Sequence, residues 1–144
     1  MVAYADTSFL YSLYGHDANS AQARTMGNGL KVPLAFTPLQ RHELRNAFRL
    51  ALFRKVMTLE RCQAVLDEVE ADAKTGVLLE TPVSWADVCA ETEALSAAHT
   101  KTLGTRGFDV LHVAVAIALG AKDFLTFDIR QKALAVKAGL KVKP

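Results

Sequence analysis

Four carboxylates stand where an α/β chain tends to bring side chains together. Asp6 and Asp128 each follow a short apolar run, Glu43 sits beside the apolar stripe of a helix, and Asp109 opens a helix that is apolar on nearly every side. If such acids converge, their mutual repulsion raises at least one pKa and opposes folding. A divalent cation removes that conflict, and an all-oxygen set without His or Cys partners suits a hard ion, Mg2+ or Mn2+. Such an ion lowers the pKa of a bound water and clamps phosphate oxygens for in-line attack. The chemistry expected is phosphodiester hydrolysis. Taken singly, the acids have plainer readings. Asp6 and Asp128 fit helix N-caps, and Asp109 meets the favourable end of a helix dipole. Glu43 suits a salt bridge with an arginine, because an unpaired carboxylate beside a core stripe is costly.

The elements that must position these residues are legible from periodicity and caps. Val2–Ala5, Leu34–Phe36, Val77–Glu80, Phe124–Phe127 and Leu140–Val142 read as strands. Helices are predicted over Phe9–Tyr14 and Ala18–Met26, from Thr37, from Thr58, from Ser84 to about His99, over Val110–Leu119 and over Ile129–Ala138. Thr37-Pro38-Leu39-Gln40 carries an N-cap, a first-turn proline and a capping-box glutamine. Ser84-Trp85-Ala86-Asp87 resembles a second box. Leu44, Ala47, Phe48, Ala51 and Leu52 form the core stripe that Glu43 borders. From Val110 to Leu119 only His112 is polar, so that helix should be buried. Gly76, Gly120 and Gly139 are read as helix stops. Thr100–Gly107 is read as a polar loop. The alternation implies α/β with a mainly parallel sheet of four to five strands and helices on both faces. Ligands of such sheets lie at the carboxyl ends of the strands, where Asp6 and Asp128 belong.

Length and composition set the outer bounds. A chain of 144 residues fits one domain, 1–144, large enough to build a core without disulfides. A net charge of +2 permits a polyanionic partner without requiring one. Cys62 and Cys89 lie far apart and in no metal-binding spacing, so they are read as two reduced, buried thiols of a cytoplasmic protein. No basic, apolar leader and no stretch of membrane-spanning length is present, so neither secretion nor a membrane partner is expected.

Asp6-Thr7-Ser8, H-E-L-R-N-A around Glu43, R-G-F-D-V-L-H-V-A-V-A around Asp109 and F-L-T-F-D ending at Asp128 together resemble the PIN-domain ribonucleases. The likeness is nearest to the VapC-like toxins of type II toxin–antitoxin pairs. It covers almost the whole chain, with the motifs in order. The resemblance implies a PIN-like three-layer α/β/α fold and a Mg2+- or Mn2+-dependent endoribonuclease, paired with a cognate antitoxin and dimerising with itself. It implies Asp6 and Asp109 as main metal ligands, Glu43 as the residue completing the site and Asp128 as the more variable fourth acid. Ser8 and Thr126 match positions that support the acids or contact waters.

Several cations invite an RNA-binding role. Arg41, Arg45 and Arg49 recur every fourth residue beside Glu43, while Lys101 and Arg106 precede Asp109. A solvated helix face explains the first three equally well, and pairing with a site carboxylate explains Arg106. His112, one turn after Asp109, faces the site or serves as a neutral structural histidine. Two other functions fit the same residues: a catalytically silent module that binds RNA or protein, and a receiver-like phosphotransfer domain. The second needs an Asp on a middle strand with a matching Lys, whereas Glu43 and Asp109 come from helices.

Overall fold

A computed structural model describes all 144 residues. Five short strands, β1 Tyr4–Ala5, β2 Leu34–Phe36, β3 Leu78–Glu80, β4 Asp123–Leu125 and β5 Lys141–Lys143, alternate with helices. Every pairing is parallel. β1, β4 and β5 form one run and β2 and β3 another, and a bridge from Ala3 to Leu34 joins them in the order β3-β2-β1-β4-β5. The chain thus builds outward from β1 on one side, then crosses back to build β4 and β5 on the other. The switch in direction falls between β1 and β4, the place where open parallel sheets form a crevice.

Alternation along the strands divides the core between two faces. Ala3, Ala5, Leu34, Phe36 and Leu125 face one cluster, with Phe9, Leu10, Leu44, Phe48, Val65 and Val69. These come from α1 Thr7–Tyr14, α3 Pro38–Phe53 and α4 Leu59–Thr75, with α2 Ser20–Asn28 packed on α1. Tyr4, Ala35 and Phe124 face the other cluster, with Val88, Val113, Val115 and Leu134. These belong to α5 Trp85–Leu95, α7 Gly107–Ala118 and α8 Ile129–Lys137. The result is the three-layer α/β/α arrangement expected.

The caps explain why α3 begins where it does. Thr37 accepts from the Gln40 backbone, Gln40 accepts from the Thr37 backbone, and Pro38 occupies the first turn. α7 is buried from Val113 to Ala116 and stops at Gly120, whose φ of +68° is the left-handed conformation that glycine tolerates best.

Four expectations need correction. Ser84 makes no side-chain cap bond, its ψ of 98° departing from the 164° of the capping Thr37. The helix read as ending near His99 continues through a wide turn, Ser96–Thr100, into a short α6, Lys101–Leu103. Thr and Lys do not break a helix, and the stop comes only at Gly104, with φ +65°. Lys101 therefore lies on a helix and not in the loop. Cys89 is exposed, because it follows the inward-facing Val88 by one residue and turns to solvent. The strand expected over Phe124–Phe127 leaves the ladder after Leu125. There the Thr126 side chain accepts from the Asp128 backbone and turns the chain toward α8.

Candidate active site

The ends of β1 and β4 are tied together by short side chains. Ala5 pairs with Leu125, which sets Asp6 beside Thr126. Asp6 is fully buried and caps α1, its Oδ1 accepting from the Phe9 backbone at 2.9 Å and from Ser8 Oγ at 2.7 Å. Its Oδ2 accepts from Thr126 Oγ1 at 2.6 Å. Ser8 Oγ in turn accepts from the Phe127 backbone at 3.2 Å. Burial pushes the Asp6 carboxyl above its usual range, against the hydrogen bonds from Thr126, Phe9 and Ser8 and the field of His112. Asp6 is thus both an N-cap and a carboxylate under electrostatic load.

Glu43 reaches the same end of the sheet from α3. One oxygen, Oε1, accepts from Thr7 Oγ1 at 2.8 Å and from His112 Nε2 in a short contact. The other, Oε2, has no protein partner. Burial acts to raise the Glu43 carboxyl, but the His112 hydrogen bond and charge, with Thr7 and His42, override it and hold the group below its ordinary value. No arginine pairs with Glu43. Arg41 instead pairs with Glu70 and Glu80, and Arg45 with Glu70 at 2.7 Å. Two cations of the supposed basic ridge are therefore clasped between α3, α4 and β3, and only Arg49 points freely to solvent.

Asp109, nearly buried in the first turn of α7, accepts at Oδ2 from the Arg106 backbone and from Arg106 Nε, both at 3.3 Å. At Oδ1 it accepts from Gln131 Nε2 at 3.4 Å. Asp128 caps α8, its Oδ1 accepting from the backbones of Arg130 and Gln131 at 2.8 and 3.0 Å. Its Oδ2 lies 3.8 Å from Arg106 Nη2. The exposed Arg106 thus spans Asp109 and Asp128. Lys101 is exposed, with neither an ion pair nor a hydrogen bond of its side chain.

A hollow of about 360 Å³ opens among Thr7, Glu43, Arg106, Phe108, Asp109, His112 and Gln131. Water occupies roughly 30 Å³ per molecule in the liquid, so this space takes a hydrated cation together with a phosphate group. Glu43 and Asp109 line it directly, Asp6 does not, and Asp128 is joined to it through Arg106. As the side chains lie, no three His, Cys, Asp or Glu groups stand close enough to hold an ion. The donor chemistry nonetheless suits one. Gln131 Oε1 is buried with no hydrogen-bond partner, and the half-buried Glu43 keeps Oε2 free of any protein donor. A buried oxygen without a donor is uncommon, and a cation or its water shell supplies what Gln131 lacks.

Sequence reasoning overlooked Tyr4, Thr7, Phe108 and Gln131. Tyr4 carried a faint signal as the one hydroxyl in an otherwise aliphatic strand. Its hydroxyl meets His112 Nδ1 at 2.7 Å, and burial together with the charges of Asp6 and Glu43 pushes its pKa far up, so it stays protonated. Gln131 sits three residues after Asp128, the spacing of a capping box, but its side chain turns to Asp109.

No family model matches the chain, and no curated protein matches it either. Solved structures do. VapC20 of Mycobacterium tuberculosis, a sarcin–ricin loop cleaving toxin, is 20% identical, with 99% of each chain covered and a TM-score of 0.69. FitAcB of Neisseria gonorrhoeae is 17% identical over 99% of this chain and 97% of that one, with a TM-score of 0.71. VapBC2 of Rickettsia felis, solved bound to a DNA fragment from their promoter, is 18% identical over 99% and 98%, with a TM-score of 0.66. The fold is PIN-like, as the sequence motifs imply.

Proposed function

We propose that this chain is a Mg2+- or Mn2+-dependent endoribonuclease that acts as the toxin of a toxin–antitoxin pair. One observation carries the reading: Glu43 and Asp109 face one hollow at the switch point of a parallel sheet, beside a buried, unpartnered oxygen of Gln131. Glu43, Asp109 and Asp6 would hold the ion, with Asp128 at the rim. When bound, it would acidify a water and offset charge on the phosphate.

The chain's own residues supply the rest. Ser8 and Thr126 hold the Asp6 carboxylate in one orientation by donating to opposite oxygens. Arg106 reaches the hollow from an exposed position and grips the RNA phosphate, letting go of Asp109 and Asp128 as it does so. The Arg45 role in RNA binding is not retained, because Glu70 holds that side chain. Phe108, 60% exposed at the rim, offers a face on which a base can stack. An antitoxin that silences the site and self-association into a homodimer belong to the same proposal, supported by the likeness to toxin structures. The 144 residues are proposed to act as one domain.

The present engagement of Asp109 and Asp128 by Arg106 favours one rival, a catalytically silent module that binds RNA or protein through the same rim. Purified protein incubated with total RNA separates the two readings. Mg2+ or Mn2+ should yield discrete fragments that disappear with EDTA and with Asp109→Asn or Glu43→Gln. Intact RNA with folded wild type in both metals would reject the nuclease and leave the silent module.

A further inference from the structure

His112 is buried between two partners that together use both of its ring nitrogens. Nδ1 meets the Tyr4 hydroxyl at 2.7 Å, and Nε2 contacts Glu43 Oε1. A neutral imidazole has one donor nitrogen and one acceptor nitrogen, and its partners choose which is which. Tyr4 is fully buried, stacked on Phe124 with ring centroids 5.6 Å apart, and its phenol stays protonated. The carboxylate oxygen of Glu43 can only accept, so the hydrogen on Nε2 is donated to Oε1, and the Tyr4 hydroxyl, which can donate or accept, occupies Nδ1.

The consequence lies at Glu43. Thr7 and His112 both donate to Oε1, which leaves Oε2 alone without a protein partner. A carboxylate with both donors on one oxygen cannot rotate to exchange its oxygens without breaking both bonds. Neither nitrogen of His112 is left for an ion, so the histidine is not itself a ligand. We propose that Tyr4 and His112 form a positioning line that locks the Glu43 carboxylate with Oε2 facing the hollow, preset to take a divalent cation. The inference rests on the metal-dependent reading above and extends it to two residues that act through Glu43 and ligate no ion. Tyr4 also anchors the line to β1, so the strand that directly precedes Asp6 sets the orientation of Glu43 as well.

The test is a double-mutant cycle read by Mn2+ titration calorimetry on the full chain. Removing the partner that orients a metal ligand typically weakens binding about 10–100-fold, and His112→Ala should do so here. Glu43→Gln should weaken binding as well, and adding His112→Ala to it should cost nothing more, since the histidine acts through Glu43 alone. His112→Gln, whose amide both donates and accepts, should recover most of the loss. Tyr4→Phe keeps the ring and removes only the hydroxyl, so it serves if His112→Ala fails to fold. It should weaken Mn2+ binding in the wild-type background and not in Glu43→Gln. Excess Mn2+ should restore cleavage by His112→Gln with no change in KM for RNA. Equal losses in both backgrounds, or unchanged Mn2+ affinity in folded His112→Ala or Tyr4→Phe, would overturn the positioning line. A failure of the nuclease reading shows in wild type as uncut RNA, whereas a failure of this inference shows only in the variants.

Discussion

Gln40→Leu should unfold the rim of the site from beneath. Gln40 is fully buried, and its side chain replaces a rung of the sheet. Ala35 donates from its backbone to Ala3 O at 2.9 Å, so the next rung of a parallel ladder would run from Thr37 N to Ala5 O. Instead the Gln40 amide is inserted between them: Thr37 N donates to Oε1 at 2.8 Å, and Nε2 donates to Ala5 O at 2.6 Å. Leucine has nearly the same volume and suits a helix, so neither a cavity nor a propensity change contributes. The Gln40 backbone bond to Thr37 Oγ1 also survives. What remains is two buried backbone groups without partners, at about 1–3 kcal/mol each, or about 2–6 kcal/mol together. Small domains have about 5–15 kcal/mol in total. Urea unfolding followed by circular dichroism should show a much lower midpoint at an unchanged slope. RNA cleavage should fall with it, because Ala5 directly precedes Asp6. A loss below about 1 kcal/mol would mean that β1 and β2 can close the rung themselves, and would refute the insertion argument.

Asp6→Asn should abolish cleavage while making the metal-free protein more stable at neutral pH. Burial raises the Asp6 carboxyl in the folded state, so the unfolded chain loses its proton first, and wild-type stability falls as pH climbs from the ordinary carboxylate range through the folded value. The advantage of the Asn variant over wild type, measured by thermal melting in EDTA, should therefore grow from pH 4 to pH 7; a constant difference would contradict this. Glu70 behaves in the opposite sense: its hydrogen bond from Arg41 outweighs burial and, with Arg45, holds its pKa below 4.5. The stabilisation is present above that value and fades as pH falls through the lower folded one, so Glu70→Gln should remove this part of the acid sensitivity without changing cleavage. Arg106→Ala should weaken RNA binding by the Asp109→Asn protein and reduce its salt dependence, measured by fluorescence anisotropy, whereas Arg45→Ala should lower only stability. Equal effects of the two arginines on RNA binding would show that the rim has been misplaced.

The parts of the fold that were legible in the sequence are those governed by local rules. Thr37, Pro38 and Gln40 announced α3 because a cap is a contact within four residues, and Gly120 announced the end of α7 because its backbone angle is its own property. Where a local signal was absent or ambiguous, the reading slipped. Lys101 has the composition of a loop, yet helix composition and loop composition overlap, and only the left-handed Gly104 decides between them. Arg41 and Arg45 have the spacing of a solvent-facing basic ridge, and the residue that captures them, Glu70, is 25 positions or more away on another helix. The four acids divide along the same line. Asp6 and Asp128 do what a cap motif says, each accepting from the backbone two or three residues on. A cap does not exclude a second role for the same carboxylate. A helix cap fixes one carboxylate oxygen against the backbone and so restricts where the other can point, which under the proposed function makes an ordinary stabilising contact the means of aiming a ligand. Glu43 has no cap to do this, being in mid-helix, and its holders, Thr7 and His112, come from two other helices.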